Sequence, residues 1–206
     1  MKPDYSLYLV TEESIPLNEL ATIVEEAIKG GATLVQLREK ASSGKVFYEK
    51  ALHLNELLKK YDVPLIINDR VDIALAIGAA GVHVGQDDLP VAAVRKIVPQ
   101  EMIVGVSVAT LAEAEDAQRN GADYVGVGSV FPTQSKKDAE LLLDGSLTEI
   151  TSNITIPAVA IGGIQIDNIA SIKNKGLAGV AVVSAIIRAH NPAKAASAFK
   201  DELNNF

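Results

Sequence analysis

Pro64-Leu65-Ile66-Ile67-Asn68-Asp69-Arg70 and, further on, Gly81-Val82-His83-Val84-Gly85-Gln86-Asp87-Asp88 decide how this chain is read. Each begins as a short apolar run and ends in polar and acidic residues, and a helical segment that includes Val71–Ile77 lies between them. Strand, crossover helix and strand make up the unit that joins parallel strands, because a tight turn cannot do so. The apolar runs are continuous rather than alternating, as in strands covered on both faces. Adjacent parallel strands bring their C-terminal ends close together. Asp69 and Asp88 can therefore converge on one hard cation, and a magnesium ion held by one or two carboxylates keeps open positions for phosphate oxygens.

The same alternation extends along the chain. Strands are expected at Leu7–Val10, Leu34–Leu37, Leu65–Ile67, Val82–Val84, Ile103–Val106, Tyr124–Val127, Ala158–Ile161 and Val180–Val183. Helices are expected at Leu17–Lys29, Val46–Lys60, Val91–Ile97, Leu111–Asn120, Leu141–Ser152, Ile166–Lys175 and Pro192–Leu203, the last with Asn191-Pro192 as cap and first turn. Eight strands, each followed by a helix, is the count of an α/β fold of the single (β/α)₈ TIM barrel type, taken here as one catalytic domain over residues 1–206. A doubly wound open sheet would show the same alternation. Gly-Ala or Gly-Leu-Ala steps at Gly31-Ala32, Gly78-Ala79, Gly121-Ala122 and Gly176-Leu177-Ala178 suit helix C-caps that turn into the next strand.

Composition narrows the possible functions. With 206 residues, 48% of them apolar and 22% charged, the chain can build one sizeable core. Its 19 basic and 26 acidic side chains give a net charge of −7, which argues against nucleic acid as a partner while leaving small phosphorylated ligands open. The absence of cysteine excludes disulfides and thiolate metal sites. No signal core or membrane-length apolar run is present, so a soluble cytoplasmic protein without a membrane partner is expected. Whether it forms a homo-oligomer is not readable from the sequence.

A barrel of this kind keeps its active site where strands end and the following loops begin. At the end of strand two, Gln36, Arg38 and Lys40 share a face and offer an amide and two cations to phosphate, or else form structural ion pairs. Asp69 and Asp88 are either metal ligands or caps of the helices that follow. His83, alone in an apolar strand, is read as a packing residue. Ser107 can bond a substrate oxygen, and Thr110 can cap the next helix. The loop Gly126–Asp138, with Thr133, Ser135, Lys136 and Lys137, is either a lid over an anion or a plain surface loop. Gly162-Gly163 and Val183-Ser184 end strands seven and eight, where this fold builds its phosphate pocket from backbone groups.

Taken in order, Gln36-Leu37-Arg38-Glu39-Lys40, Asn68-Asp69-Arg70-Val71-Asp72, Gly81 to Asp88, Gly121 to Gly128 and Ala160-Ile161-Gly162-Gly163-Ile164 resemble the thiamine-phosphate synthase family. The resemblance implies a transferase that joins a hydroxymethylpyrimidine diphosphate to a hydroxyethylthiazole phosphate and releases pyrophosphate with Mg²⁺. It assigns Gln36, Arg38, Lys40, Asn68 and Lys136 to the pyrimidine diphosphate, Asp69 and Asp88 to magnesium, and Ser107 to the pyrimidine. Thr133, Ser135, Gly163, Val183 and Ser184 go to the thiazole phosphate. Arg38, Lys40, Ser107 and Lys136 are the residues it implies for catalysis. The leaving diphosphate gathers negative charge while the aminopyrimidine delocalises the cation, so no nucleophilic Cys or Ser–His pair is required.

The chain departs from the family pattern at three places. Gly128-Ser129 stands where Gly-Pro is usual, Ser135 stands in place of Thr before Lys136, and Ala109 stands where a His commonly precedes Thr110. Related thiazole tautomerases use that His and often lack the metal carboxylates. Both carboxylates are present here and the His is absent, which favours the synthase. A non-catalytic barrel that binds thiazole phosphate or thiamine phosphate is the other alternative, and it would not need Arg38, Lys40 and both aspartates.

Overall fold

The structure, a computed structural model, describes residues 3–134 and 140–204. In chain order the elements are β1 (Leu7–Val10), α1 (Leu17–Lys29), β2 (Leu34–Leu37), α2 (Gly44–Lys59), β3 (Leu65–Asn68), α3 (Val71–Ile77), β4 (Gly81–Val84) and α4 (Val91–Ile97). There follow β5 (Ile103–Val108), α5 (Leu111–Arg119), β6 (Tyr124–Val127), α6 (Ser146–Asn153), β7 (Ala158–Ile161), β8 (Gly179–Val182), α7 (Ser184–Ile187) and α8 (Pro192–Leu203). Each strand pairs in parallel with the next, and β8 returns to β1 with Val180 opposite Leu7. The sheet is therefore a closed eight-stranded TIM barrel, and the open-sheet alternative falls.

Period two divides every strand between two apolar environments. Leu7, Leu9, Val35, Leu37, Leu65, Ile67, Val82 and Val84 point outward and pack with the apolar stripes of the helices, among them Leu20, Val24, Leu54 and Phe199. Tyr8, Val10, Leu34, Ile66, Tyr124, Val159 and Ala181 point inward and fill the barrel with Tyr5. Both faces are apolar, so the runs look continuous in sequence. Helix ends use local chemistry. Thr110 and Glu113 form a capping box on α5, and the Asn191 side chain accepts from Lys194 N–H ahead of Pro192 on α8. Gly78 closes α3 in the left-handed conformation at φ 60°.

Several boundaries differ from the expected ones. β5 runs two residues further than expected, to Val108, and β8 spans 179–182, leaving Val183 at the start of α7. The helix expected over Leu141–Ser152 begins only at Ser146, because the backbone of residues 140–142 is already paired: Ser129 N–H donates to Glu140 O and Leu142 N–H to Ser129 O. Gly145, at φ 87°, then redirects the chain into α6. The helix expected over Ile166–Lys175 is reduced to a 3₁₀ turn at Ile169–Ile172. There the Asn168 side chain accepts from Gln165 N–H and donates to Gly163 O, and Asn174 and Gly176 take positive φ. Such local side-chain bonds compete with helical ones.

Candidate active site

The polar strand ends surround a cavity of about 410 Å³ at the C-terminal mouth of the barrel. Gln36, Arg38, Asn68, Ser107, Thr133, Gly163, Val183 and Ser184 line it. Lys40, Asp69 and Asp88 stand beside it, next in the chain to or close to cavity-lining residues. Ser135 and Lys136, expected to contact substrate, lie outside the described residues.

The carboxylates do not cap helices. α3 begins after Arg70 and α4 after Pro90, neither with a side-chain cap, which removes the bland reading of both aspartates. Asp69 adopts φ 60°, and its carboxylate accepts from Lys40 Nζ at 2.5 Å while lying within hydrogen-bonding reach of Asp88. Asp88 Oδ2 accepts from Gly85 N–H at 2.7 Å, which fixes its direction. Burial and then the neighbouring Asp88 push the Asp69 carboxyl above its ordinary range, while Lys40 opposes them. Two carboxylates this close, with Lys40 as their ion-pair partner among the described residues, are an incompletely neutralised pair of hard oxygen donors. That donor set fits a magnesium ion.

Two loops are stitched together to present the cations. Glu39, fully buried, accepts from Lys50 Nζ at 2.9 Å and from the Ser42 hydroxyl. Lys50 also donates to the carbonyls of Glu13 and Ile15, and the Glu13 carboxylate accepts from the N–H groups of Lys40 and Ala41. The loop after β1 therefore holds the loop that carries Lys40. Sequence reasoning did not single out Glu39 and Lys50. Their i, i+11 spacing has no local signature, since Glu39 is in a loop and Lys50 is on α2.

Among the described residues, two buried side-chain polar atoms lack a partner: Asn68 Nδ2 and Glu12 Oε1. Both residues line the cavity. An unpaired buried amide costs about 1–3 kcal/mol, so Asn68 holds a donor ready for an acceptor that a ligand would supply.

The glycines after β7 line the cavity and also make room for a neighbouring loop. A Cβ on Gly162 would strike Ser129, and one on Gly163 would lie 2.8 Å from Phe131 Cβ. Phe131 N–H donates to Gly162 O and Val130 N–H to Ile161 O. These glycines admit the incoming loop Ser129–Pro132, whose Ser129 lines the cavity. α7 is a single turn, so backbone groups at Val183-Ser184 matter there more than a helix dipole does.

His83 is buried, but it does more than pack. Its Nδ1 lies 2.9 Å from the Tyr124 hydroxyl and its Nε2 2.8 Å from Ser107 Oγ. Burial lowers its pKa from 6.5 to about 4. A Ser–His contact therefore exists in the cavity, yet no carboxylate orients the imidazole, which a hydrolytic triad requires. Ala109 lines the cavity where a proton-transferring His would stand.

Comparison with known proteins adds to this geometry. The family model described as thiamine monophosphate synthase matches residues 7–186. A thiamine-phosphate synthase from Ruminiclostridium cellulolyticum is 52% identical over 187 residues, covering 90% of this chain and 89% of that one. One from Desulfitobacterium hafniense is 48% identical over 208 residues and covers 100% of each chain. The solved thiamine phosphate pyrophosphorylase from Pyrococcus furiosus superposes with a TM-score of 0.89 at 36% identity, covering 98% of this chain and 97% of that one. No helix among the described residues is long and apolar enough to cross a membrane.

Proposed function

Because this chain belongs to the thiamine monophosphate synthase family, we propose that its cavity joins 4-amino-2-methyl-5-hydroxymethylpyrimidine diphosphate to 4-methyl-5-(2-hydroxyethyl)thiazole phosphate, releasing pyrophosphate. The chain is a thiamine-phosphate synthase, and the observation that carries this is identity of about half its residues to such enzymes along nearly the whole length. The paired carboxylates beside a cavity that holds Arg38 and Asn68 support the same reaction.

Asp69 and Asp88 would hold magnesium, which when bound offsets the negative charge that builds on the departing diphosphate. Arg38 offers a bidentate fork to phosphate oxygens, Lys40 a mobile point charge, and Asn68 its unpaired amide donor. Lys136 is assigned to the same diphosphate. Gln36 and Ser107 hold the pyrimidine on the cavity floor. Thr133, Gly163, Val183 and Ser184 hold the thiazole phosphate against the opposite wall, so that the thiazole nitrogen faces the methylene carbon, and Ser135 is assigned to the same phosphate. As the carbon–oxygen bond breaks, its electron pair leaves with pyrophosphate. The thiazole nitrogen lone pair then forms the new carbon–nitrogen bond. The enclosing walls keep water from capturing the cation first.

Pyrophosphate release and product analysis with both phosphorylated heterocycles, with and without magnesium, test this assignment. Thiamine phosphate formed only when both substrates and the metal are present is the expected result. Ligand-dependent thermal stabilisation without pyrophosphate release would instead identify a binding protein, and isomerisation of a carboxylated thiazole alone would identify a tautomerase.

A further inference from the structure

Period two carries the inward face of β1 past its last residue. Tyr8 and Val10 point into the barrel, and Glu12, two positions on, lines the active-site cavity. Val10 is opposite Gln36, so Glu12 is level with Arg38 at the end of the neighbouring strand. The Glu12 side chain is only 13% exposed, whereas Asp87 and Glu140, the other carboxylates among the described lining residues, belong to exposed residues. Glu12 Oε2 accepts from Arg188 Nε at 2.9 Å, and Oε1 is buried with no partner among the described residues. Glu12 also borders a second hollow of about 450 Å³. Arg188 lines that hollow and not the active-site cavity, so its guanidinium holds the carboxylate from behind.

A carboxylate at this place is at odds with an anion site. Glu12 pairs with Arg188 rather than with Arg38, and among the described residues no carboxylate forms an ion pair with Arg38. Its charge repels a diphosphate and suits a cation. Arg38, Lys40, Asn68 and magnesium are all assigned to the negative charge of the leaving group, and none of them meets the cation left on the pyrimidine. As the carbon–oxygen bond breaks, that charge spreads from the methylene carbon to the exocyclic amino nitrogen, whose N–H groups become stronger donors. The thiazole phosphate carries no N–H, so the amino group is the donor that the two heterocycles offer to an unpartnered carboxylate oxygen. A largely enclosed wall strengthens the attraction.

We propose that Glu12 is a catalytic residue of this chain, a fixed counter-charge that accepts from the pyrimidine amino group and stabilises its cation, with Arg188 as its positioning residue. The identity of the ring rests on the function proposed above. No proton moves in this step: the amino nitrogen keeps its hydrogens, and the electron pair leaves with pyrophosphate. Arg188 has a second effect. Without it, Arg38 becomes the alternative partner of Glu12 and is drawn away from the diphosphate.

Glu12→Gln keeps the shape and removes the charge. Single-turnover rates with both substrates and magnesium, KM for each substrate and the thermal midpoint test the proposal. The charge opposes an anionic ground state and favours a cationic transition state. The variant should therefore lose on the order of tenfold in rate, with KM for the pyrimidine diphosphate unchanged or lowered. The penalty should grow on a pyrimidine that carries trifluoromethyl in place of methyl, because that ring supports the cation poorly. Glu12→Asp should recover part of the rate. Arg188→Gln should raise KM for the pyrimidine diphosphate, and adding Glu12→Gln should remove the increase. An unchanged rate in Glu12→Gln would overturn the proposal, as would a lower thermal midpoint with KM raised for both substrates, which marks a structural role. A wild type that forms no thiamine phosphate would overturn the function proposed above, whereas the variants bear on Glu12 alone.

Discussion

Lys40 Nζ lies 2.5 Å from Asp69 Oδ2, and the same carboxylate reaches Asp88. The lysine neutralises one charge of a two-carboxylate site, so a divalent ion and Lys40 act on the same local excess of negative charge. Removing Asp88 leaves Lys40 paired with Asp69, removing Asp69 takes away the carboxylate that Lys40 holds, and either change weakens the metal site. Asp69→Ala and Asp88→Ala should each reduce magnesium-dependent turnover by about 100-fold or more, a loss of several kcal/mol of charge stabilisation. The measurement is pyrophosphate release across a magnesium titration. Unaltered turnover and magnesium requirement in both variants would remove these residues from the metal site.

The buried Glu39–Lys50 pair leads to a stability prediction. Their side chains are 0% and 11% exposed, and Lys50 also holds the carbonyls of the loop after β1. Deleting one partner strands a buried charge, so Lys50→Met should cost about 3–5 kcal/mol in urea denaturation. Glu39→Gln with Lys50→Met should cost clearly less than the sum of the single changes, because the double variant strands no charge. Additive losses would show that the two groups do not act as a pair. Since the loop carries Lys40, the single variants should also raise KM for the diphosphate substrate.

The barrel was legible because its strands are short uninterrupted apolar runs with polar ends, and the ends of β2, β3 and β4 carry Arg38, Asp69 and Asp88. The hydrogen-bonded set Tyr8, Tyr124, His83 and Ser107 on the cavity floor was not. Where both faces of a strand are apolar, alternation vanishes, and nothing in the order of residues says that Tyr8, His83 and Tyr124 point inward together. The available signal was glycine inside β5 and β6, at Gly105 and Gly126, each facing one of these rings. α6 misled for another reason. The apolar residues Leu141, Leu142 and Leu143 extend a helical pattern, but Ser129 pairs with the backbone of Glu140 and Leu142 first.

Two glycines allow that reading to be tested by stability. Gly78 has φ 60° with open space where a Cβ would go, so Gly78→Ala costs backbone strain alone, about 1 kcal/mol. Gly105→Ala instead forces a methyl into the Tyr124 ring in a closed core, where overpacking costs about 1–3 kcal/mol or more. Denaturation of both variants should rank Gly105→Ala as the more damaging. Only Gly105→Ala should also impair pyrimidine binding, since Gly78 is at the far end of α3. A Gly105→Ala protein with full stability and unchanged KM would mean that Tyr124 has room to move without consequence.

His83 sets a pH limit on stability. Its pKa falls from 6.5 to about 4 in the fold because burial disfavours the imidazolium. Below pH 6.5 the unfolded chain binds a proton that the folded chain refuses, so acid favours unfolding. The contribution is fully present above pH 6.5, declines as the pH falls toward 4, and is exhausted below that, a total of about 3 kcal/mol. In His83→Gln this component should disappear, leaving only the slope due to the carboxylates. Urea midpoints of both proteins at intervals from pH 7.5 to about pH 4 measure the difference. The two curves should converge as acid is added, because the wild type loses stability that the variant never had. Parallel curves would mean that the imidazole titrates in the fold as it does in water, and that His83 is neither as buried nor as firmly held between Tyr124 and Ser107 as its contacts show.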